Sequence, residues 1–448
     1  MMRRIREVPA GVILLVGLLA FLAFTAPGLL SIDSVDQLRE ARAGFYTDAH
    51  PPALAALWSV LDAIVAGPFL MLVVQCSAFL GGSYLVLVRA LTPRKAAIAA
   101  ALLLAFPPIA VPMGFIWKDA LMAGMLVLGT GLVLSRDRRW RLVSLACFTL
   151  ATAVKYNAFA ATLPLIVLLF EWRPGARPVG RYALAVCAWL GVTVLAMGAN
   201  SALTDQPMHF WHSSLAVSDI VGVLNYEDEL SDAELRRELA GTEVRFDHDI
   251  QARAREVYTP REALHIVIGR HRMWDLPTSG TVPAPQAQRD AIAAAWWRLV
   301  SEHPRAYLHH RAAYFFDVLG VTYRFDKAPN MASEAYRSSV GEAGTRPLQD
   351  RWWRFNDWYW RHTPLFWQWI YVLMALGLVV LCRRQRDVLV LATSGLVVES
   401  SLFFLAPSPD YRYSHWTIVV SVVCTILAIS RHRAHRVERN LDTVQGDL

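Results

Sequence analysis

Between Ser31 and Pro52 the chain reads SIDSVDQLREARAGFYTDAHPP, which brings Asp33, Asp36, Asp48 and His50 into one short stretch directly after an apolar run. Carboxylates in such a place can cap the next helix, bind a coupling ion, or take a proton from a hydroxyl nucleophile. Pro51 and Pro52 fix an extended entry into the following helix and withhold their own N–H groups, so Asp48 and His50 are held at a defined height. Three cations have a similar setting: Lys118 in FIWKDALM, Lys155 in VKYN and Arg412 in PSPDYRYSHW each border or interrupt an apolar run. Singly, each reads as a residue snorkelling to an interface. Brought to one level, the three would hold a phosphate and stabilise it as a leaving group.

The elements that must position these residues are membrane helices. The chain has 448 residues, 55% of them hydrophobic, and its mean hydropathy is +0.33. Both are too apolar for an ordinary soluble domain. The net charge of +7 does not indicate nucleic-acid binding, because arginine gathers in short clusters between apolar runs. Cys76, Cys147, Cys187, Cys382 and Cys424 lie within or at the ends of those runs, which argues against a disulfide framework or a zinc site.

Runs near 8–30, 69–90, 96–115, 121–135, 142–156, 158–172, 182–203, 364–381, 388–406 and 416–430 predict an all-α polytopic bundle of about ten transmembrane helices. The first run is read as a retained span, and several of the runs are short for a bilayer. The basic clusters Arg3-Arg4-Arg6, Arg94-Lys95, Arg136 to Arg141, Arg173-Arg177-Arg181, Arg383-Arg384-Arg386 and Arg431-Arg433-Arg436 fall at alternate boundaries. That pattern places both termini in the cytoplasm of a plasma (cell inner) membrane protein. It puts 31–68, 115–119, 155–157, 204–363 and 407–415 on the other side, so the polar residues that solubility does not explain collect on one face. The stretch 53–66 is too short to span and reads as an interfacial helix.

Four regions follow: an N-terminal transmembrane module, 1–203, whose first outer loop, 31–68, carries the acidic residues; an extracytoplasmic helical domain, 204–363; C-terminal transmembrane helices, 364–430; and a basic tail, 431–448. In the outer domain, Ser231-Asp232-Ala233-Glu234 is a capping-box pattern and Gln286 to Glu302 has helical spacing. The loop 277–285 separates its halves. The run RWWRFNDWYW from Arg351 reads as an aromatic belt or as a sugar-stacking surface.

The run from Asp33 to Asp48-Ala49-His50-Pro51-Pro52 resembles the first outer loop of the protein O-mannosyltransferases, which are glycosyltransferases of the GT-C fold. In that family an acidic residue after the first span is followed by an aromatic-rich segment and an F-D-x-H-P-P motif. Here Thr47 stands in place of the Phe, Ser34 replaces a second acid, and the spacing is shorter. FIWKD and PDYRY are similar to elements of bacterial relatives. The resemblance implies a polyprenyl-phosphate-sugar donor, an inverting single displacement and Asp33 as general base, with Asp36 as its rival. Lys118, Lys155 and Arg412 would then hold the donor phosphate, while Asp48, His50, Asp119, Tyr156, Asn157, Tyr411 and Tyr413 shape the donor and acceptor pocket.

The acceptor would be a hydroxyl on a glycan, lipid or protein, reached within membrane lipid. No cofactor is required for such a reaction, although Asp36, Asp48 and His50 could together hold a divalent cation. A different class of reading is a multi-pass transporter or lipid flippase that uses the acidic cluster for ion coupling. Transporters usually place such groups at the bilayer midplane within related halves, and this chain shows neither feature.

Overall fold

Proline decides where many helices of this chain begin and bend. The computed structural model describes residues 8–170, 178–228, 230–245, 249–268, 272–277, 282–322, 331–342 and 344–446. Arg3, Arg4, Arg6, Arg173, Arg177 and part of the 277–285 loop lie outside the described residues. Among those described, regular structure is helical, with three isolated β-bridges.

The first module comprises α1 (Ala10–Thr25), α2 (Ile32–Ala43), α3 (Pro52–Ile64), α4 (Phe69–Leu87), α5 (Pro93–Ala105), α6 (Pro107–Gly114), α7 (Lys118–Val133), α8 (Arg138–Val154), α9 (Ala158–Phe170) and α10 (Pro178–Leu203). Pro52 and Pro93 sit in first turns, where a missing N–H costs little. Pro107 ends α5 and opens α6 at an angle of 69°. The next group is α11 (Val217–Tyr226), α12 (Asp232–Glu238), α13 (Ile250–Val257), α14 (Gln286–Glu302) and α15 (Pro304–Val318). The chain continues through α16 (Glu334–Ser338), α17 (Pro347–His362), α18 (Gln368–Leu381), α19 (Arg386–Leu405) and α20 (His415–Gly446).

Among the described residues, four stretches can cross a membrane by length and composition: α4, α10, α19 and Tyr411–Ala434; a fifth is counted if the bent α5–α6 pair is one broken span. The ten expected spans are not ten long helices. The run 8–30 gives α1, which ends at Thr25, and the runs 142–156 and 158–172 give α8 and α9, which meet at the Lys155 break. On α10, Val194 and Leu195 are 67% and 65% exposed. An apolar face bare along a whole helix belongs in lipid rather than water, and the chain is a helical, membrane-associated protein.

One apolar core unites α1 to α10 with α18 to α20, and a second is built from α11 to α15. The segment 204–363 therefore packs in two directions: α16 lies on α2, and α17 sets Trp352 against Phe21 and Trp353 against Phe115. The aromatic run is thus partly a packing surface, with Phe355 and Trp358 left exposed. A buried network ties the second core to α19. Asp219 accepts from Trp296 Nε1 at 2.8 Å and pairs with His310 and Arg311. Arg311 in turn donates to Phe403 O and Ala406 O at 2.7 and 3.0 Å, filling carbonyls at the helix end that would otherwise lack partners and fixing the start of the 407–412 loop.

Candidate functional site

Asp33 is placed by a short clamp between the turn after α1 and the turn before α7. Leu29 N donates to Gly114 O and Ile116 N to Leu29 O, each at 2.9 Å. Gly28 makes the turn at φ +119°, with the Ile116 side chain 2.8 Å from where a Cβ would stand, so both backbone freedom and space call for glycine. Ser31 caps α2 by accepting from Ser34 N. Ser34 Oγ donates to Ile116 O at 2.7 Å and Trp117 Nε1 to Ser31 Oγ at 2.9 Å. The first turns of α2 and α7 are thereby locked side by side, which carries Asp33 to Lys118 and Asp119. Ser34, standing where the resembled family has an acid, is fully buried and completes this clamp.

Five chain segments meet here. Asp33 Oδ2 lies 2.8 Å from Arg412 and 3.8 Å from Lys118 Nζ. Lys118 Nζ also lies 2.9 Å from His50 Nδ1. Behind them, Lys155 Nζ donates to Asp119 Oδ1 at 2.6 Å, with Arg412 Nε 3.9 Å from Asp119 Oδ2. Asp410 Oδ2 is 2.8 Å from Arg412 Nε. Aromatic faces hold the cations: Trp117 and Tyr413 flank Arg412 at 5.1 and 5.6 Å, and Tyr413 also faces Lys155 at 4.5 Å. Lys155 is available because the VKYN break ends α8 at Val154 and leaves it as the extended C-cap. Among the described residues, Asp119 Oδ2 and both ring nitrogens of the buried His415 have no hydrogen-bond partner, so the site retains unused polar capacity.

Burial would raise the Asp33 carboxyl, but the charges of Arg412 and Lys118 outweigh it and hold the group well below the usual carboxylate range. Burial, seconded by Lys118, pushes His50 down to about 3. Its ring is therefore neutral and accepts from the lysine. Lys118 is pushed down to about 8 by burial, with Asp33 opposing and Lys155 and Arg412 adding to the shift. Asp410 is raised by burial against the pull of Arg412.

Of the residues singled out in the sequence, Asp33, His50, Lys118, Asp119, Lys155, Arg412 and Tyr413 converge. Asp36 does not: it pairs with Arg39 and accepts from Tyr336 OH, each at 2.5 Å, on the side of α2 that meets α16. Asp48 accepts from the backbone N–H groups of Met208 and His209 and so anchors the HPP turn to the start of the next segment. Thr47, where the family has Phe, is buried and donates to Glu40. Tyr411 donates to Pro108 O at 3.0 Å and packs on Trp360 and Phe366, a structural post rather than part of the pocket. Tyr156 is partly exposed and close enough to Asp48 to feel its charge, while Asn157 Oδ1 is buried without a partner among the described residues. Asp36, Asp48 and His50 thus have separate partners, and no group of three or more metal-binding side chains occurs among the described residues.

Sequence reasoning missed Asp410, Trp117 and His415. Asp410 and Trp117 lay inside the PDYRY and FIWKD motifs already in view, and His415 follows directly in PSPDYRYSHW. No known protein family, no curated protein and no solved structure matches the chain.

Proposed function

We propose that the protein is an integral-membrane glycosyltransferase of GT-C type, with about ten membrane passes once the short helices are counted. It moves a hexose or pentose from a polyprenyl-phosphate donor to a hydroxyl acceptor on the outer face of the plasma membrane. The observation that carries this reading is that Asp33 Oδ2 is shared between Arg412 and Lys118, beside the Lys155–Asp119 pair. A carboxylate held among cations is the arrangement that a base beside a phosphate leaving group needs.

In the proposed step Asp33 takes the acceptor hydroxyl proton, the freed oxygen bonds to the anomeric carbon, and the carbon–oxygen bond to phosphate breaks. The leaving polyprenyl phosphate, already a good leaving group, is received by Arg412, Lys118 and Lys155. Asp119 positions Lys155, and His50 positions Lys118. Inversion at the anomeric carbon follows from a single in-line displacement.

The test is transfer of labelled sugar from polyprenyl-phosphate hexose and pentose donors by purified protein in liposomes, with glycan, lipid and peptide acceptors offered. Transfer with inversion supports the proposal. No transfer, together with ion- or lipid-dependent flux that Asp33→Asn abolishes, would replace it with the transporter reading. Cysteines placed at Thr47 and Ser135 should label from opposite sides of the membrane, and labelling from one side would overturn the orientation.

A further inference from the structure

The turn after α1 that positions Asp33 also walls a separate cavity, of about 240 Å³. Pro27 and Leu30 from that turn and Pro68 at the start of α4 form its apolar side, while Arg337 of α16, Glu342, and Arg346 at the start of α17 form its polar side. Neither Asp33 nor its cations line it. The polar wall is tied to the end of α1: Ala332 N donates to Leu30 O at 2.9 Å and Gln349 Nε2 to Thr25 O at 3.1 Å. Glu342 is held by Arg42 at 3.2 Å, and Gly67, at φ +100°, lets the chain pass it closely, since a Cβ there would stand 2.8 Å from Glu342 Oε1. Arg337 is 9% exposed. It spends Nη1 on Gly344 O at 3.4 Å and Met331 Sδ at 3.8 Å, while its buried Nε has no hydrogen-bond partner among the described residues. An unpaired guanidinium donor in such a place is costly, and an oxyanion would satisfy it. Within 337–349 only Ala343 lies outside the described residues, and its side chain carries no charge.

We infer that this cavity binds the phosphoethanolamine headgroup of a lipid in the leaflet on the side of the candidate site. Arg337 and Arg346 receive the phosphate, whose oxygens arginine forks match. Glu342 receives the ammonium: a carboxylate has about four lone-pair sites, so its bond to Arg42 leaves acceptors for a second cation. A simple anion would be repelled by that carboxylate, whereas a zwitterion uses both signs of charge. The apolar wall points to a lipid rather than a soluble zwitterion. It continues into the last turn of α1, where Phe24 is 44% exposed, and into α4, which is long and apolar enough to cross a membrane. Acyl chains leaving the cavity therefore have apolar surface to follow, and pockets between helix ends at a membrane surface are where headgroups are held. The inference goes beyond the transfer reaction and does not depend on it.

The experiment is native mass spectrometry of the full-length protein in neutral detergent, titrated with phosphatidylethanolamine, phosphatidylcholine and phosphatidylglycerol of the same acyl chains. Choline keeps the positive charge but has no N–H to give Glu342, and glycerol has no cation. The expected result is retention of phosphatidylethanolamine about tenfold tighter than of either other lipid, as one charge-assisted hydrogen bond predicts. Arg337→Gln and Arg346→Gln should each weaken retention on the order of tenfold, and Glu342→Gln should remove the preference among the three lipids while leaving the phosphate contacts. Arg346 is exposed, so its variant reports on binding even where loss of the buried Arg337 lowers the melting temperature. Equal retention of phosphatidylethanolamine and phosphatidylcholine, tighter retention of phosphatidylglycerol, or an unchanged preference in Glu342→Gln overturns the inference. Displacement of the lipid by millimolar soluble phosphoethanolamine overturns the lipid assignment in favour of a soluble zwitterion.

Discussion

Replacing Asp33 by Asn separates the two duties that the proposed mechanism gives this residue. The substitution keeps the shape of the side chain in the first turn of α2 and the Ser31–Ser34 cap beside it, but it removes the charge that Arg412 and Lys118 share. Loss of a positioned general base lowers turnover by roughly 10²- to 10⁴-fold. Donor binding moves the other way. An incoming phosphate must displace the carboxylate from Arg412, and a hydrogen bond to a charged group contributes about 1.5–3 kcal/mol. The Asp33 side chain is 28% exposed, so water screens part of that energy, leaving about 1 kcal/mol, or somewhat under tenfold in affinity. The assay is donor binding by equilibrium titration beside single-turnover transfer. The expected outcome is a donor Kd unchanged or up to tenfold tighter, with transfer nearly abolished. Parallel loss of binding and turnover would make Asp33 an architectural residue, and full activity would move the base elsewhere.

Asp36→Asn should change transfer by no more than about fivefold, because its partners Arg39 and Tyr336 belong to the α2–α16 contact and the loss is of the order of 1 kcal/mol; a collapse comparable to Asp33→Asn would reverse the assignment. Lys155→Met strands the fully buried Asp119, which costs about 3–5 kcal/mol when one partner of a buried pair is removed. Thermal unfolding should show this and the double variant Lys155→Met with Asp119→Leu should recover most of it; a wild-type melt for the single variant would refute the pairing. Lys118, pushed down to about 8, loses its charge as pH rises past that value, so donor affinity should be flat below it and fall by up to tenfold per pH unit above, a slope that a flat profile to pH 10 would exclude. Stability takes the opposite sign: between about 8 and the lysine reference near 10.4 the unfolded chain binds the extra proton, so this group makes the folded state gain stability as pH rises through that window.

The charges of the site were legible because each lies where an apolar run stops, and a charge at such a boundary stands out against its neighbours. Their convergence was not legible, since it depends on a clamp of backbone and serine hydrogen bonds linking residues 29–34 to 114–117. Asp33 and Asp36 are three positions apart on one helix, and spacing alone does not say which faces the cations. The cap at Ser31 sets that rotation. The role of Asp48 depends on Met208 and His209, some 160 residues away. Tyr411 looked like a pocket residue through its place beside Arg412, but in a tight turn neighbouring side chains diverge, and its ring turns into the core. Hydropathy windows also average across Pro107, so the run 96–115 reads as one continuous span where the backbone bends by 69°.

Under the proposed transfer, the charge arithmetic of the site explains how so acidic a carboxylate serves as a base. Lys118, Lys155 and Arg412 face Asp33, Asp119 and Asp410, three cations against three carboxylates. Asp119 is fully buried and tied to Lys155 at 2.6 Å, whereas Asp33 is partly exposed and shares its cations. A donor phosphate therefore trades places with Asp33 and not with Asp119. Drawing Arg412 and Lys118 toward the phosphate removes the influences that kept Asp33 acidic, so its proton affinity rises as the acceptor hydroxyl arrives. When the glycosidic bond to phosphate breaks, the leaving group gains one negative charge and Asp33, taking the proton, loses one. The total charge of the site is unchanged through the step, and the cations need only shift their allegiance from carboxylate to phosphate. That is preorganised electrostatic stabilisation, and the neutral ring of His50 at 2.9 Å from Lys118 Nζ keeps the more mobile of the two cations aimed while the exchange takes place.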